Sequence, residues 1–246
     1  MRAAHIRADA RRNRERLLQA AREVFAEKGG DAPLEEIAAR AGVGIATLYR
    51  RFPERASLVR AVALDLWTRS AEAAERARVE EPDAFRALAR YLHRALDLRV
   101  AAVMPAVIPA LVEQLAPDVE LRRANDRSAA ALQALIDAAR SEGTLRADAA
   151  FGDVGLLLVR LSRPLPGPFP RPLDDALAHR HLQLAVDGLR VGPHTAPLLP
   201  EPALSLDDLR GMRGMRGMRG MRSERSKRGA GNGTSGRAPT RGAAEP

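Results

Sequence analysis

The chain of 246 residues contains no cysteine. That absence excludes a disulfide framework, a thiolate zinc site and a cysteine nucleophile, and it fits a reducing compartment. Aromatic residues make up only 3% of the chain. Strands draw on aromatic and β-branched residues, whereas Ala, Leu and Arg, which are plentiful here, favour helix. These proportions predict an all-α fold. No apolar run reaches the ~18–20 residues that a membrane span requires. The first 16 residues are charged and lack the apolar stretch of a secretory signal. The expectation is a cytoplasmic protein that makes no use of a membrane.

Negative charge is scarce at both ends. The net charge of +9 divides unevenly: Lys and Arg against Asp and Glu number 13 to 8 in residues 1–60, 17 to 19 in residues 61–202, and 10 to 4 in residues 203–246. The excess at the ends suits a polyanionic partner, and the middle is not a nucleic-acid surface by charge. The last segment is rich in Gly, Arg and Ser, and Gly211 to Arg222 is a four-fold Gly-Met-Arg repeat. Such a composition cannot bury a core, so residues 200–246 read as a disordered basic tail. The repeat is either a tandem duplication in a tolerant tail or an arm that adds non-specific DNA affinity by counterion release.

Between the ends, apolar residues recur at helical spacing. Leu17, Leu18, Ala21, Val24 and Phe25 predict a helix over 10–28, stopped by Gly29-Gly30. Pro33 opens a short helix over 34–41, Gly42 turns the chain, and a third short helix covers 45–52. Pro53 separates it from a long helix over 54–78. Further helices are predicted over 83–98, 103–115, 119–141, 150–163 and 173–190. Five prolines from Pro164 to Pro172 make an exposed loop before the last of them.

The informative stretch runs from Leu34 to Phe52, two short helices around a glycine turn. Ile37, Ala38, Gly42, Val43, Leu48 and Phe52 have the placement of a helix-turn-helix core, with Ala38 allowing close helix approach. This geometry presents the third helix to a DNA major groove. The polar side chains left outside are Thr47, Tyr49, Arg50 and Arg51, which supply donors for phosphates and base edges.

Gly42-Val-Gly-Ile-Ala-Thr-Leu-Tyr-Arg-Arg-Phe-Pro-Glu-Arg-Ala-Ser-Leu58, with Phe25-Ala-Glu-Lys-Gly29 and Leu34-Glu-Glu-Ile-Ala38 before it, resembles the signature of the TetR family of transcriptional regulators. The resemblance is strong over residues 10–60 and holds for the rest in helical layout and length. It implies a three-helix DNA-binding head (1–60), a larger helical body that senses a small-molecule effector and forms a homodimer through the last two helices (61–199), and the tail (200–246). The implied function is a repressor that leaves double-stranded operator DNA when the effector binds. By the same resemblance, Thr47 and Tyr49 match positions that contact the DNA backbone, and Arg55 stands where a phosphate-touching Lys is usual. Gly44 replaces a frequent Ser and removes a hydroxyl, while Ile45 and Ala46 offer apolar contact. Base readout then falls to Thr47 and to Arg50 or Arg51. Arg2, Arg7, Arg11 and Arg12 form either a DNA-binding arm or a frayed terminus.

The body offers fewer landmarks. Trp67, Phe85, His93, Met104 and Phe151 are candidate pocket residues because large or polarizable side chains line such sites, though each also suits plain core. His179-Arg-His181 does not suit one metal ion, since residues two apart on a helix diverge by roughly 200°. No metal and no cofactor are expected. Stripes of Leu173, Leu177, His181, Leu184 and Gly188, and of Val154, Leu157, Leu158 and Leu161, suit either a two-fold four-helix interface or burial within one subunit. The chain carries no nucleophile elbow, phosphate loop or zinc-helix motif, so no enzyme is expected. A non-sequence-specific nucleoid protein driven by the basic tail is the remaining alternative.

Overall fold

A computed structural model describes residues 2–100, 103, 118–192 and 198–211, with residues 2–11 described by their backbone alone. The described residues form helices and no strand. The first is α1 (Arg2–Lys28), which begins eight residues before the start that apolar spacing predicts. Residues 2–9 carry no apolar stripe, yet they are rich in Ala and Arg and contain no Gly or Pro, so nothing stops the helix from extending. Its end is set by Gly29, whose φ of +88° suits glycine and whose N–H reaches the Phe25 carbonyl at 3.0 Å.

Two short helices follow, α2 (Leu34–Arg40) and α3 (Ile45–Arg51), and then the long α4 (Arg55–Glu80). Leu17, Leu18, Val24 and Phe25 of α1, Leu34 and Ile37 of α2, and Leu48 of α3 close around Leu58, Val62, Leu66 and Trp67 of α4. Val103 and Leu121, from outside residues 1–60, complete this core. The second half of α4 enters a different cluster through Ala73, Ala74 and Ala77. One continuous helix therefore belongs to both cores.

The body adds α5 (Ala84–Asp97), α6 (Val119–Ser141), α7 (Phe151–Leu161) and α8 (Arg171–Leu189). Asp83 caps α5 by accepting the Arg86 N–H at 2.7 Å, and Asp118 caps α6 by accepting that of Leu121 at 3.0 Å. Asp153 in the first turn of α7 accepts the Ala150 N–H at 2.7 Å. Phe85, Leu88, Leu92, Leu135, Ile136, Leu158, Leu182 and Val186 make the centre of the second core. Residues 163–170 are exposed irregular chain, as the prolines require. The helix predicted over 103–115 lies outside the described residues except for Val103.

After α8 the chain returns to the start of α7. The Leu199 N–H donates to Asp148 at 2.7 Å, and the Gly152 N–H donates to the Leu204 carbonyl at 2.7 Å. A Cβ at Gly152 would lie 2.8 Å from that carbonyl oxygen, so the close approach needs glycine. Met1–Leu206 form one compact unit and Asp207–Pro246 a second. Of the second, only Asp207 to Gly211 are described, in helical conformation with Arg210 3.3 Å from Asp207. The Gly-Met-Arg repeat beyond Gly211 and the rest of the proposed tail lie outside the described residues.

Candidate nucleic-acid interface

The turn between α2 and α3 is a Schellman-type stop. Gly42 sits at φ +65°; its N–H reaches Ala39 O at 3.1 Å, and the Val43 N–H reaches Ala38 O at 3.0 Å. Ile37, Ala38, Leu48 and Phe52 are buried and Val43 is half-buried against them, so the residues read as the core do converge around the Gly42 turn. Gly44 is the N-cap of α3 and caps with its backbone only: its carbonyl accepts from Thr47 at 2.9 Å, with no side-chain bond.

Leu48 is the single buried side chain of α3. Ile45, Ala46, Tyr49, Arg50 and Arg51 are exposed, and Thr47 is half-buried. Arg55 is held at the start of α4, where its Nη1 donates to the Gly30 carbonyl at 2.8 Å. A guanidinium has five donors, so this bond orients the group without exhausting it. Sequence reasoning missed Arg16. Its Nη1 lies 4.0 Å from where a Cβ would stand on Gly42, which puts an exposed cation of α1 beside the turn. The spacing Arg12–Arg16, one helical turn, was a legible signal. The side chains of Arg2, Arg7 and Arg11 lie outside the described residues.

Of the five body residues named as pocket candidates, the four that are described do not line one pocket. Trp67 is buried in the first core, Phe85 and Phe151 belong to the second, and Met104 lies outside the described residues. Arg190 stacks over the Phe85 ring at 5.1 Å. His93 instead joins a polar chain between α5 and α8: its Nδ1 is 2.8 Å from Nδ1 of His179, whose Nε2 is 3.0 Å from Asp97. His181 is exposed and points elsewhere, as helical geometry requires. The stripe on α8 divides from the stripe on α7. Leu173, His181, Leu184 and Gly188 are exposed and Leu177 is half-buried, whereas Val154 and Leu158 are buried within the subunit.

Residues 17–62 match the family described as bacterial regulatory proteins, tetR family, and residues 83–191 match the C-terminal domain of SbtR-like transcriptional regulators. A TetR transcriptional regulator of Streptomyces coelicolor is 34% identical, with 72% of this chain and 98% of that chain covered and a TM-score of 0.52. A TetR regulatory protein of Mycobacterium vanbaalenii is 35% identical, covering 76% and 99%, with a TM-score of 0.52. The TetR-like regulator LfrR of Mycobacterium smegmatis, solved in complex with proflavine, is 26% identical, covering 70% and 95%, with a TM-score of 0.51. No curated protein matches the chain.

The chain belongs to the TetR family of transcriptional regulators. It is a sequence-specific DNA-binding regulator, and the nucleoid-protein alternative is not favoured. The all-α architecture, with an N-terminal helix-turn-helix and a helical C-terminal domain, is that of the family. Among the described residues, no helix is long and apolar enough to cross a membrane.

In this TetR protein, ion pairs tie the head to the body. Arg22 of α1 contacts Asp65 of α4, which also holds Arg69 at 3.0 Å; burial lowers the Arg22 guanidinium against the pull of Asp65. Arg60 of α4 meets Asp118 at 2.6 Å and Glu120 at 2.7 Å. The hydrogen bond to Asp118 raises Arg60, and the same bond holds the Asp118 carboxyl below its ordinary range. Glu27 of α1 takes Arg40 of α2 at 2.8 Å and Arg171 of α8 at 3.2 Å.

Proposed function

We propose that this chain represses transcription as a homodimer whose two copies of α3 occupy successive major grooves of an operator, and that a small molecule bound in the body releases it. The observation that carries the DNA reading is the one-sided burial of α3. Leu48 alone faces the core, so Gly44, Ile45, Ala46, Thr47, Tyr49, Arg50 and Arg51 are left for a partner. Tyr49 and Arg55 would take phosphates and fix the register, and Thr47 with Arg50 or Arg51 would read bases. The exposed Leu173, His181, Leu184 and Gly188 on α8 support a two-fold interface there. Release by an effector is supported by the relative solved with proflavine.

The proposed head is residues 1–60, the body 61–199 and the tail 200–246, with α4 crossing the first boundary unbroken. Chromosomal operators put the protein in the cytoplasm, and no catalytic role is assigned to it. The test is selection of sites from random duplex DNA with the full chain. An inverted repeat with half-sites about one helical turn or more apart is the expected result. Loss of sequence preference in a folded protein would overturn the reading in favour of non-specific binding. Deleting residues 212–246, which spares the Leu204 contact on α7, should leave the selected sequence unchanged and remove only salt-sensitive affinity.

A further inference from the structure

A cavity of about 110 Å³ opens at one corner of the body, away from the aromatic residues named as pocket candidates, where α5 ends, α7 ends and α8 begins. Leu96, Leu161 and Ala178 supply its apolar walls; Asp97, Arg99, Ser162, Asp174, Asp175 and His179 supply its polar ones. Ser162 is only 8% exposed, and its Oγ is buried with no hydrogen-bond partner. A hydroxyl left in that state costs free energy unless something else satisfies it. Arg99 stands in the left-handed region at φ 55°, a conformation disfavoured for a side chain with a Cβ and commoner at binding sites.

The charges around the cavity are unequally matched. Arg99 Nη2 lies 3.0 and 3.1 Å from the two oxygens of Asp175. Asp97 takes His179 Nε2 at 3.0 Å, and His93 Nε2 meets Gln183 Oε1 at 3.0 Å. The Gln183 amide is fixed that way round because its nitrogen donates to Asp187 at 2.8 Å. The Nδ1–Nδ1 contact of 2.8 Å between His93 and His179 joins these bonds into one polar chain beside Asp97. Asp174 is left with a neutral partner, the Leu165 N–H at 3.1 Å. Among the described residues Asp175 meets two cations, Arg99 at 3.0 Å and Arg171 at 3.7 Å, and Asp97 meets Arg94 at 3.6 Å, so Asp174 is the cavity carboxylate without a cationic partner.

We propose that this cavity binds a small primary ammonium ion carrying a hydroxyl or similar polar group, its nitrogen on Asp174 and its polar group on Ser162, and that it is the effector site. This inference rests on the reading of the chain as a ligand-released operator binder. The route to the head is contiguous. Asp175 shares Oδ1 with Arg171 at 3.7 Å, Arg171 reaches Glu27 of α1 at 3.2 Å, and Glu27 holds Arg40 in the last turn of α2 at 2.8 Å. A cation beside Asp174 and Asp175 repels Arg171 from its seat and frees Glu27. Pairs this exposed are weak, so the change in operator affinity is about tenfold rather than complete loss.

The test uses the full chain and 4-aminobutan-1-ol, with butane-1,4-diol and 4-hydroxybutanoate as neutral and anionic probes of the same length. The amine should shift the Leu165 amide resonance saturably while the other two do not. It should also weaken binding to the selected operator about tenfold in fluorescence anisotropy. Asp174→Asn should abolish the shift. Ser162→Ala should weaken it and leave the melting temperature intact, which covers the case in which the Asp174 variant fails to fold. Arg171→Gln should keep amine binding and lose its effect on DNA. Equal binding of the diol or the anion, amine binding that survives both cavity variants, or amine binding without effect on the operator would each overturn the proposal. Operator selection is run without amine, so a failure there counts against the regulator reading, while the resonance titration measures the cation site independently.

Discussion

Ser70 of α4 sits between two other hydroxyls in the body, 2.9 Å from Tyr91 of α5 and 3.0 Å from Ser128 of α6. All three are buried, Ser70 completely, so no water replaces a lost partner. Burial raises the Tyr91 phenol above its ordinary value, the bond to Ser70 opposing it, and the hydroxyl keeps its proton. Ser70→Ala strands two buried hydroxyls and should cost about 1–3 kcal/mol in urea unfolding. Tyr91→Phe removes one member and should cost less. In the proposed interface, the residues of α3 separate by what they would touch. Arg50→Ala or Arg51→Ala, whichever reads a base, should lose about 1–3 kcal/mol on the selected operator and relax the preference at one position. Tyr49→Phe combined with Arg55→Ala should weaken all sequences alike, since phosphate contacts carry no sequence information. A repeat of the site selection with each variant distinguishes the two outcomes.

At the scale of elements, the return of the chain onto α7 hangs on Asp148. Its carboxyl is held down to about 2, first by the Arg146 guanidinium and then by the Leu199 N–H. A depressed folded value means the contribution is present above the ordinary carboxylate range and is lost as pH falls through about 2. Protection of the Leu199 amide against exchange should therefore fade between about pH 4 and 2. Asp148→Asn should flatten that dependence. None of this was legible in the sequence, because the bond joins residues 51 apart through a turn that no periodicity marks. The helices were legible, since Leu17, Leu18, Val24 and Phe25 declare a buried stripe at helical spacing and Gly29, Gly42 and Pro53 mark its breaks. The start of α1 was not, because a solvated Ala- and Arg-rich turn carries helix propensity without a stripe.

For the molecule as a whole, the DNA-facing half of the site could be read from a contiguous stretch, Gly42 to Leu58. The cavity at the corner of the body could not, because Asp97, Ser162 and Asp174 meet only after three helices have packed. Sequence stripes were equally mute about which of two apolar faces would be used at home. Val154 and Leu158 are spent on the subunit's own core, so in the proposed dimer the outward residues of α8, with Leu156 of α7, are the ones left to face a partner copy. Leu184 is the most telling of these, a large apolar side chain 62% exposed on the face of α8 away from Leu182 and Val186. Leu184→Glu places a charge there at no cost to the folded subunit, whose core rests on Leu182 and Val186 instead. Helix content and melting of the isolated chain should be unchanged, while sedimentation velocity should report a monomer. Binding to an inverted repeat should then fall about a hundredfold toward that of one half-site, because linked heads gain from effective concentration. A variant that stays dimeric would move the interface off this face of α8.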